Sequence, residues 1–301
     1  MKPFFSAVFV ILILLTLPTA AALRVFSCEP EWASLVTELA GDHAAVFSAT
    51  TGQQDQHSIQ ARPSLIAQMR RADLVVCTGA ELEIGWLPVL MARGGNPGVQ
   101  PGTDGYFEAA NFVPMLEVPQ RLDRAEGDVH PRGNPHIQLD PRNIARIAPV
   151  LSERLTRLDP ANAGDYRRRL EDFTRRWQVA LQRWKTEAQP LEGMPIVVHH
   201  RSWVYLNRWL GLKQIGTLEP KPGVPPTSGH LAGLLETLKV TPARAVIRAP
   251  YQDARPSEWL VKQIPGLEMI ELPYTVGGNA EAGDLFGLFD ASIALLLRAQ
   301  R

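Results

Sequence analysis

Short apolar runs alternate along this chain with segments whose apolar positions recur at helical spacing. Arg24-Val25-Phe26-Ser27 reads as a strand, followed by an amphipathic helix from about Glu31 to Ala40 that stops at Gly41. A second strand is expected near Ala44 to Ala49, then a helix after Pro63 and a strand ending at Cys77. Strands and helices alternating through short loops predict a parallel sheet covered on both faces.

From Asn96 to Pro135 the chain is rich in Gly, Pro and Asp with little periodicity, so loops with one short strand are expected. Asp140-Pro141 then opens a helix from about Arg142 to Leu158, and Asp159-Pro160 opens another that runs without proline from Ala161 to about Ala188. At about 1.5 Å per residue the latter reaches on the order of 40 Å, the length of a strut between lobes. Beyond Pro190 the alternation resumes: strands at Pro195 to Val198, Lys213 to Thr217, Ala245 to Arg248 and Met269 to Leu272. Helices are expected from about Trp203, Ser228, Pro256 and Phe286. The expected organisation is a first α/β lobe at residues 23–158, a linking helix at 159–188 and a second α/β lobe at 189–301; no internal repeat is evident.

Ahead of these elements, Met1-Lys2-Pro3 leads into an apolar run from Phe4 to Leu17, a Pro18 break and Ala20-Ala21-Ala22. That pattern is expected of a secretory signal peptide, residues 1–22, rather than of a membrane anchor. Lipidation at Cys28 is disfavoured by the bulky Phe26 and the charged Arg24 just before it. The remaining roughly 280 residues suit two lobes better than one core.

The formal net charge is zero and the pI about 7.1, which gives no support for nucleic-acid binding. Arg167-Arg168-Arg169 and Arg175-Arg176 are interleaved with Glu171 and Asp172, as on a solvated helix face. The cysteines number two, Cys28 and Cys77. Each follows a β-like run, so in an oxidising compartment they are expected to form a disulfide across neighbouring parallel strands, with two buried free thiols as the alternative.

Chemistry centres on His57, His136 and His200, each in a loop at or just past the end of an expected strand, where ligands of open α/β sheets bind. Three local motifs carry a resemblance. Gln53-Gln54-Asp55-Gln56-His57-Ser58 with Arg62-Pro63-Ser64, Asn134-Pro135-His136-Ile137-Gln138-Leu139-Asp140-Pro141, and His200 with Trp203 and Tyr205 resemble segments of the zinc and manganese solute-binding proteins of ABC importers. The second motif is the most specific, and the resemblance extends over essentially the whole chain after the leader. It implies two Rossmann-like α/β lobes with parallel sheets joined by a single long rigid helix, and a metal held in the cleft between them. His57 and His136 would come from the first lobe and His200 from the second. The implied activity is periplasmic capture of zinc and delivery to a membrane permease driven by an ATPase, by a monomer that is not an enzyme.

His199 stands one position off the motif, and in a continuing strand its side chain points to the opposite face. The acidic fourth ligand usual in the family falls on Pro273 here, so Asp284, Glu281 or water are the alternatives. Three imidazoles without a thiolate suit zinc, and also copper, nickel or cobalt, over the harder manganese; zinc is the expectation. Asp140 is either a carboxylate orienting a metal-bound histidine or a plain helix cap. His130, in a loop shortly before His136, is a candidate for recruiting metal, while His43 and His230 read as surface or helix-edge residues.

Two other readings compete. A zinc hydrolase would need a base tied to the histidine motifs, and the chain has neither H-E-x-x-H nor G-x-S-x-G. An organic-solute-binding protein would stack its ligand on tryptophans, but Trp177 and Trp184 lie seven apart on the expected strut, and Trp32, Trp86 and Trp259 fall in amphipathic segments. Core packing accounts for them better.

Overall fold

The computed structural model describes residues 21–121, 123, 127 and 129–300. The expected signal peptide, residues 1–22, lies outside the described residues except for its last two positions. The elements, in chain order, are β1 (Leu23–Ser27), α1 (Pro30–Ala40), β2 (Ala44–Ser48), α2 (Pro63–Arg71), β3 (Leu74–Cys77), α3 (Leu87–Gly94), β4 (Tyr106–Glu108), α4 (Pro141–Leu158) and α5 (Ala163–Glu187). They continue with β5 (Pro195–Val198), α6 (Val204–Leu210), β6 (Lys213–Thr217), α7 (Ser228–Val240), β7 (Ala245–Arg248), α8 (Arg255–Gln263), β8 (Glu268–Glu271) and α9 (Leu285–Ala299).

The strands form two parallel four-stranded sheets, ordered β2-β1-β3-β4 and β6-β5-β7-β8. The order is the same in both, so a structural repeat exists that the sequence does not display. In each sheet the chain changes direction beside the first strand, β1 or β5, which leaves a crevice at the carboxyl ends of the strands. The central strands β1, β3, β5 and β7 are mainly buried, β3 through all four residues, and carry the near-continuous apolar runs that a sheet covered on both faces requires, while β2, β6 and β8 are partly exposed.

The strut helix α5 is 25 residues long, about 37 Å at 1.5 Å per residue. Its buried stripe is Tyr166, Phe173, Trp177, Ala180 and Trp184, at helical spacing. Its outer face carries short-range ion pairs, Arg168 with Asp165 and Arg175 and Arg176 with Asp172, the solvated face anticipated from the interleaved charges. Trp177 and Trp184 pack on Phe289 of α9, and the indole N–H of Trp177 donates to the Pro141 carbonyl.

Two expectations need correction. The apolar core is not wholly divided between the lobes: the largest cluster runs from Val25 and Leu74 of the first sheet through α4 and α5 to Ile196 and Ile247 of the second, while separate clusters lie within the first lobe and within the second. A strut that is apolar along one whole side carries the shared cluster between them. Trp259, read as a core residue, is 38% exposed on α8, because that helix buries Leu260 and turns its neighbour outward. Trp32 and Trp86 are buried. Helix α3 was not expected at all, since its eight residues sit among glycines and a proline.

A disulfide joins Cys28 and Cys77. Ser27 pairs with Val76 across β1 and β3, and the Cys28 amide donates to the Val76 carbonyl at 2.8 Å, so the next residues of the two strands face each other. Among the described residues no helix is long and apolar enough to cross a membrane.

Candidate metal centre

His57 lies in the loop after β2, His136 just ahead of the short 3-10 turn Ile137–Leu139 that leads into α4, and His200 two residues past β5. Each loop leaves a sheet at its carboxyl end, and the three loops converge. One nitrogen from each ring lies within 4.8 Å of the others. The ring centroids are 5.3 Å apart for His57 and His136, and 5.9 Å for each with His200. His136 is 1% exposed, and the side chains of His57 and His200 are 13% and 12% exposed. His136 and His200 border a cavity of about 220 Å³ also lined by His130, Asn134 and Pro222.

Each imidazole uses the same nitrogen for support. His57 Nδ1 donates to Asp55 Oδ1 at 2.9 Å, and His200 Nδ1 donates to Glu219 Oε2 at 2.7 Å. His136 Nδ1 lies 2.6 Å from the Tyr274 hydroxyl. Carboxylates only accept, which fixes Nδ1–H on His57 and His200 and leaves Nε2 with a lone pair. The phenol can play either part; with Nε2 of His136 on a metal, Nδ1 donates and Tyr274 accepts. The Nε2 of His57 is buried without a hydrogen-bond partner.

Burial, followed by the charges of His57, His200 and His130, holds the His136 imidazole well below the usual histidine range. A ring so placed is neutral at pH 7 and need not lose a proton to bind a cation. Burial pushes the Asp55 carboxyl up, but its hydrogen bonds and charge attraction to His57 outweigh that and hold it below the usual range.

The remaining candidates fall elsewhere. His199 is buried and does not belong to the three-histidine cluster. Asp140 is a helix cap: its carboxylate accepts from the Arg142 backbone N–H and guanidinium, while Tyr274 meets His136. Asp284 caps α9 by accepting from Gly287 N at 2.7 Å and borders a different groove with Ser34 and Ser48. Glu281 is exposed, and Gly277 closes its own loop through a bond to the Ala282 carbonyl. His43 pairs with Asp165, and His230 with the Thr217 carbonyl.

Sequence reasoning missed Asp55, Glu219 and Tyr274 as supports. Asp55 stood inside a quoted motif, two residues from His57. Glu219 and Tyr274 lie 19 and 138 residues from the histidines they hold, and no spacing signals such pairs.

Many bonds tie the two halves around this centre. The Tyr205 hydroxyl accepts from the Leu116 N–H and donates to the Asn134 carbonyl. Asn134 donates to the Arg201 carbonyl, Gln53 to the Gly278 carbonyl and Thr275 to Glu31. The arrangement presents three ring nitrogens in a stiff frame, a geometry that could hold a small cation.

Comparison with known proteins gives a consistent picture. The family described as zinc-uptake complex component A, periplasmic, matches residues 25–299. The manganese ABC transporter substrate-binding lipoprotein PsaA of Streptococcus pneumoniae is 23% identical over 245 residues, covering 80% of this chain and 76% of that protein. The high-affinity zinc uptake system protein ZnuA of Brucella abortus is 23% identical over 115 residues, 38% of this chain and 34% of that one. A crystal structure of ZnuA shares the fold, with a TM-score of 0.78 at 24% identity over 93% of this chain and all of that one.

Proposed function

The chain belongs to the family of periplasmic zinc-uptake complex component A proteins, and from that premise we propose that it captures one zinc ion through His57, His136 and His200. It then hands the ion to the membrane permease of an ABC importer, whose ATPase drives entry. The reading places residues 1–22 as a cleaved signal peptide, 23–158 and 189–301 as the two lobes and 159–188 as the helix between them.

The observation that carries the proposal is the uniform use of Nδ1. Each ring is fixed through that atom, so Nε2 is the nitrogen available to coordinate, and a supported Nδ1–H makes the ring a stronger donor. No carboxylate belongs to the cluster among the described residues. A donor set of imidazoles suits zinc over manganese, which prefers oxygen. The cavity of about 220 Å³ is small beside the roughly 300–1,000 Å³ of sites for organic ligands. Asp55 and Glu219 are engaged as acceptors of Nδ1–H, so the reading assigns them positioning and not the activation of a water.

The shared core cluster and the bonds across the two halves favour release through loop movement over swinging of whole lobes. The test is a competition titration of metal-stripped protein against a chromophoric chelator, beside His57→Ala, His136→Ala and His200→Ala. One zinc per chain is expected, weakened on the order of 100-fold or more in each variant, about 2.7 kcal/mol or more. Absence of tight binding, or affinity indifferent to all three changes, would sink the proposal.

A further inference from the structure

Three imidazoles leave the fourth corner of a tetrahedron open, and the side chains expected there, Asp284 and Glu281, are placed elsewhere. Asp55 and Glu219 are engaged by the ligand rings themselves. What stands beside the cluster is a fourth imidazole. The His130 ring lies 5.3 Å from that of His57, the same separation as His57 from His136, and His130 lines the same cavity as His136 and His200. Around a tetrahedral zinc with Zn–N of about 2.0–2.1 Å, four imidazole centroids are spaced by roughly 5 Å. His57, His136 and His200, 5.3 to 5.9 Å from one another, are a small contraction away from that arrangement; His130 stands at such a spacing from His57 alone and lies outside the cluster of three, so its ring must move inward to join them.

The chain holds His130 in place from both sides. A turn closes behind it, with the Gly133 amide donating to the His130 carbonyl at 3.0 Å. Gly133 has φ +107, and a Cβ there would meet the Leu116 carbonyl at 2.6 Å, so the turn requires glycine. Asn134 is tied to the Leu116 and Arg201 carbonyls. Upstream, Gly127 packs so closely on Pro222 of the second half that a Cβ would fall 2.4 Å from the Pro222 carbonyl. The His130 loop is thereby seated across both halves, over the cavity.

We propose that His130 is the fourth metal ligand, completing a tetrahedron of four nitrogens, and that this all-imidazole set is what selects zinc against manganese at this site. The proposal rests on the reading that His57, His136 and His200 bind metal. Replacing a water by a fourth imidazole removes the last oxygen that a hard cation would favour. It also puts one ligand on a loop, the part of the centre whose movement opens it.

The experiment uses the mature protein loaded with zinc and, separately, with cobalt(II). X-ray absorption at the zinc edge should count four imidazole nitrogens in the wild type and three in His130→Ala. Zinc affinity should fall by about tenfold or more in that variant, with the margin over manganese reduced, and the visible cobalt spectrum should lose tetrahedral intensity. A thermal melt of the metal-free variant, unchanged from wild type, separates ligand loss from misfolding. An unchanged imidazole count and affinity in His130→Ala overturns the proposal, as does slower loading with unchanged affinity, which would make His130 a recruiting residue. If His57→Ala still loses zinc in those cases, only this inference has failed; if it does not, the reading of the whole centre has.

Discussion

Two trios of buried ionisable side chains sit in this molecule, and burial has made opposite things of them. His57, His136 and His200 form one cluster; Glu29, Glu31 and Glu83 are packed beneath the ends of β1 and β3, each no more than 3% exposed. Desolvation disfavours charge in both. It drives the proton off His136, which bares a lone pair for a metal. In the other trio it keeps the proton on: burial raises Glu29 well above the usual carboxyl range and Glu31 and Glu83 to about 7, which masks the oxygens a metal would use. The acids spend their hydrogen bonds inward, Glu29 and Glu83 accepting from the backbone of Thr78 and Gly79 and Glu31 accepting from Thr275. Richness in ligand atoms does not define a cation site; the protonation state that burial enforces does.

The disulfide offers the largest effect that separates the trios. Its sulfurs lie within 4.8 Å of a Glu83 oxygen, and being bonded to each other they offer no thiolate to a metal. The cross-link spans 49 residues and is expected to contribute about 2–4 kcal/mol. Denaturant unfolding of the Cys28→Ser, Cys77→Ser double variant should show that loss, while zinc affinity stays within about twofold, under about 0.4 kcal/mol. A variant of full stability that no longer holds zinc would mean the two regions are one system.

Next in size are the groups that hold Nδ1. Asp55→Asn, Glu219→Gln and Tyr274→Phe should each weaken zinc by about 10–100-fold, the two carboxylates more than the phenol because a charged acceptor makes the stronger bond. Glu83→Gln should not weaken it at all. Chelator competition across the four proteins checks the contrast. Equal affinities for Asp55→Asn and wild type would show that ring orientation comes from packing alone.

What could be read from the chain follows the same division between local and distant causes. Strand runs such as Pro195 to Val198, caps such as Asp140-Pro141 and the histidine motifs are local, and the structure places those elements within a residue or two of expectation. The supports are not local: Glu219 reaches His200 only because β5 and β6 pair in parallel, and Tyr274 reaches His136 only because the two halves close on each other. The search for a fourth ligand near Pro273 therefore looked at the right segment for the wrong atom, since the next residue points into the centre as a hydrogen-bond partner. Helix α3 escaped notice because eight residues between a tryptophan and a glycine give too few turns for a period to show.

The effect that addresses the comparison most directly is the pH dependence of stability. A carboxyl whose folded pKa is raised binds more protons folded than unfolded, so its contribution is whole below about pH 4.5 and drains away as pH rises through 7. Each proton so retained gives a slope of about 1.4 kcal/mol per pH unit across that window. His136 runs the other way, since a lowered histidine pKa gives stability present above the unfolded value near 6.5 and lost in acid. Metal-free protein should therefore lose stability between pH 5 and 8 through the acids, and Glu31→Gln, whose amide oxygen can still accept from Thr275, should flatten that fall. Zinc should reverse it above pH 6, because the ion binds only to neutral rings. A metal-free wild type whose denaturation midpoint climbs steadily from pH 5 to 8, with Glu31→Gln following it, would mean that the carboxyls are ionised in the fold and that the two trios do not differ as argued.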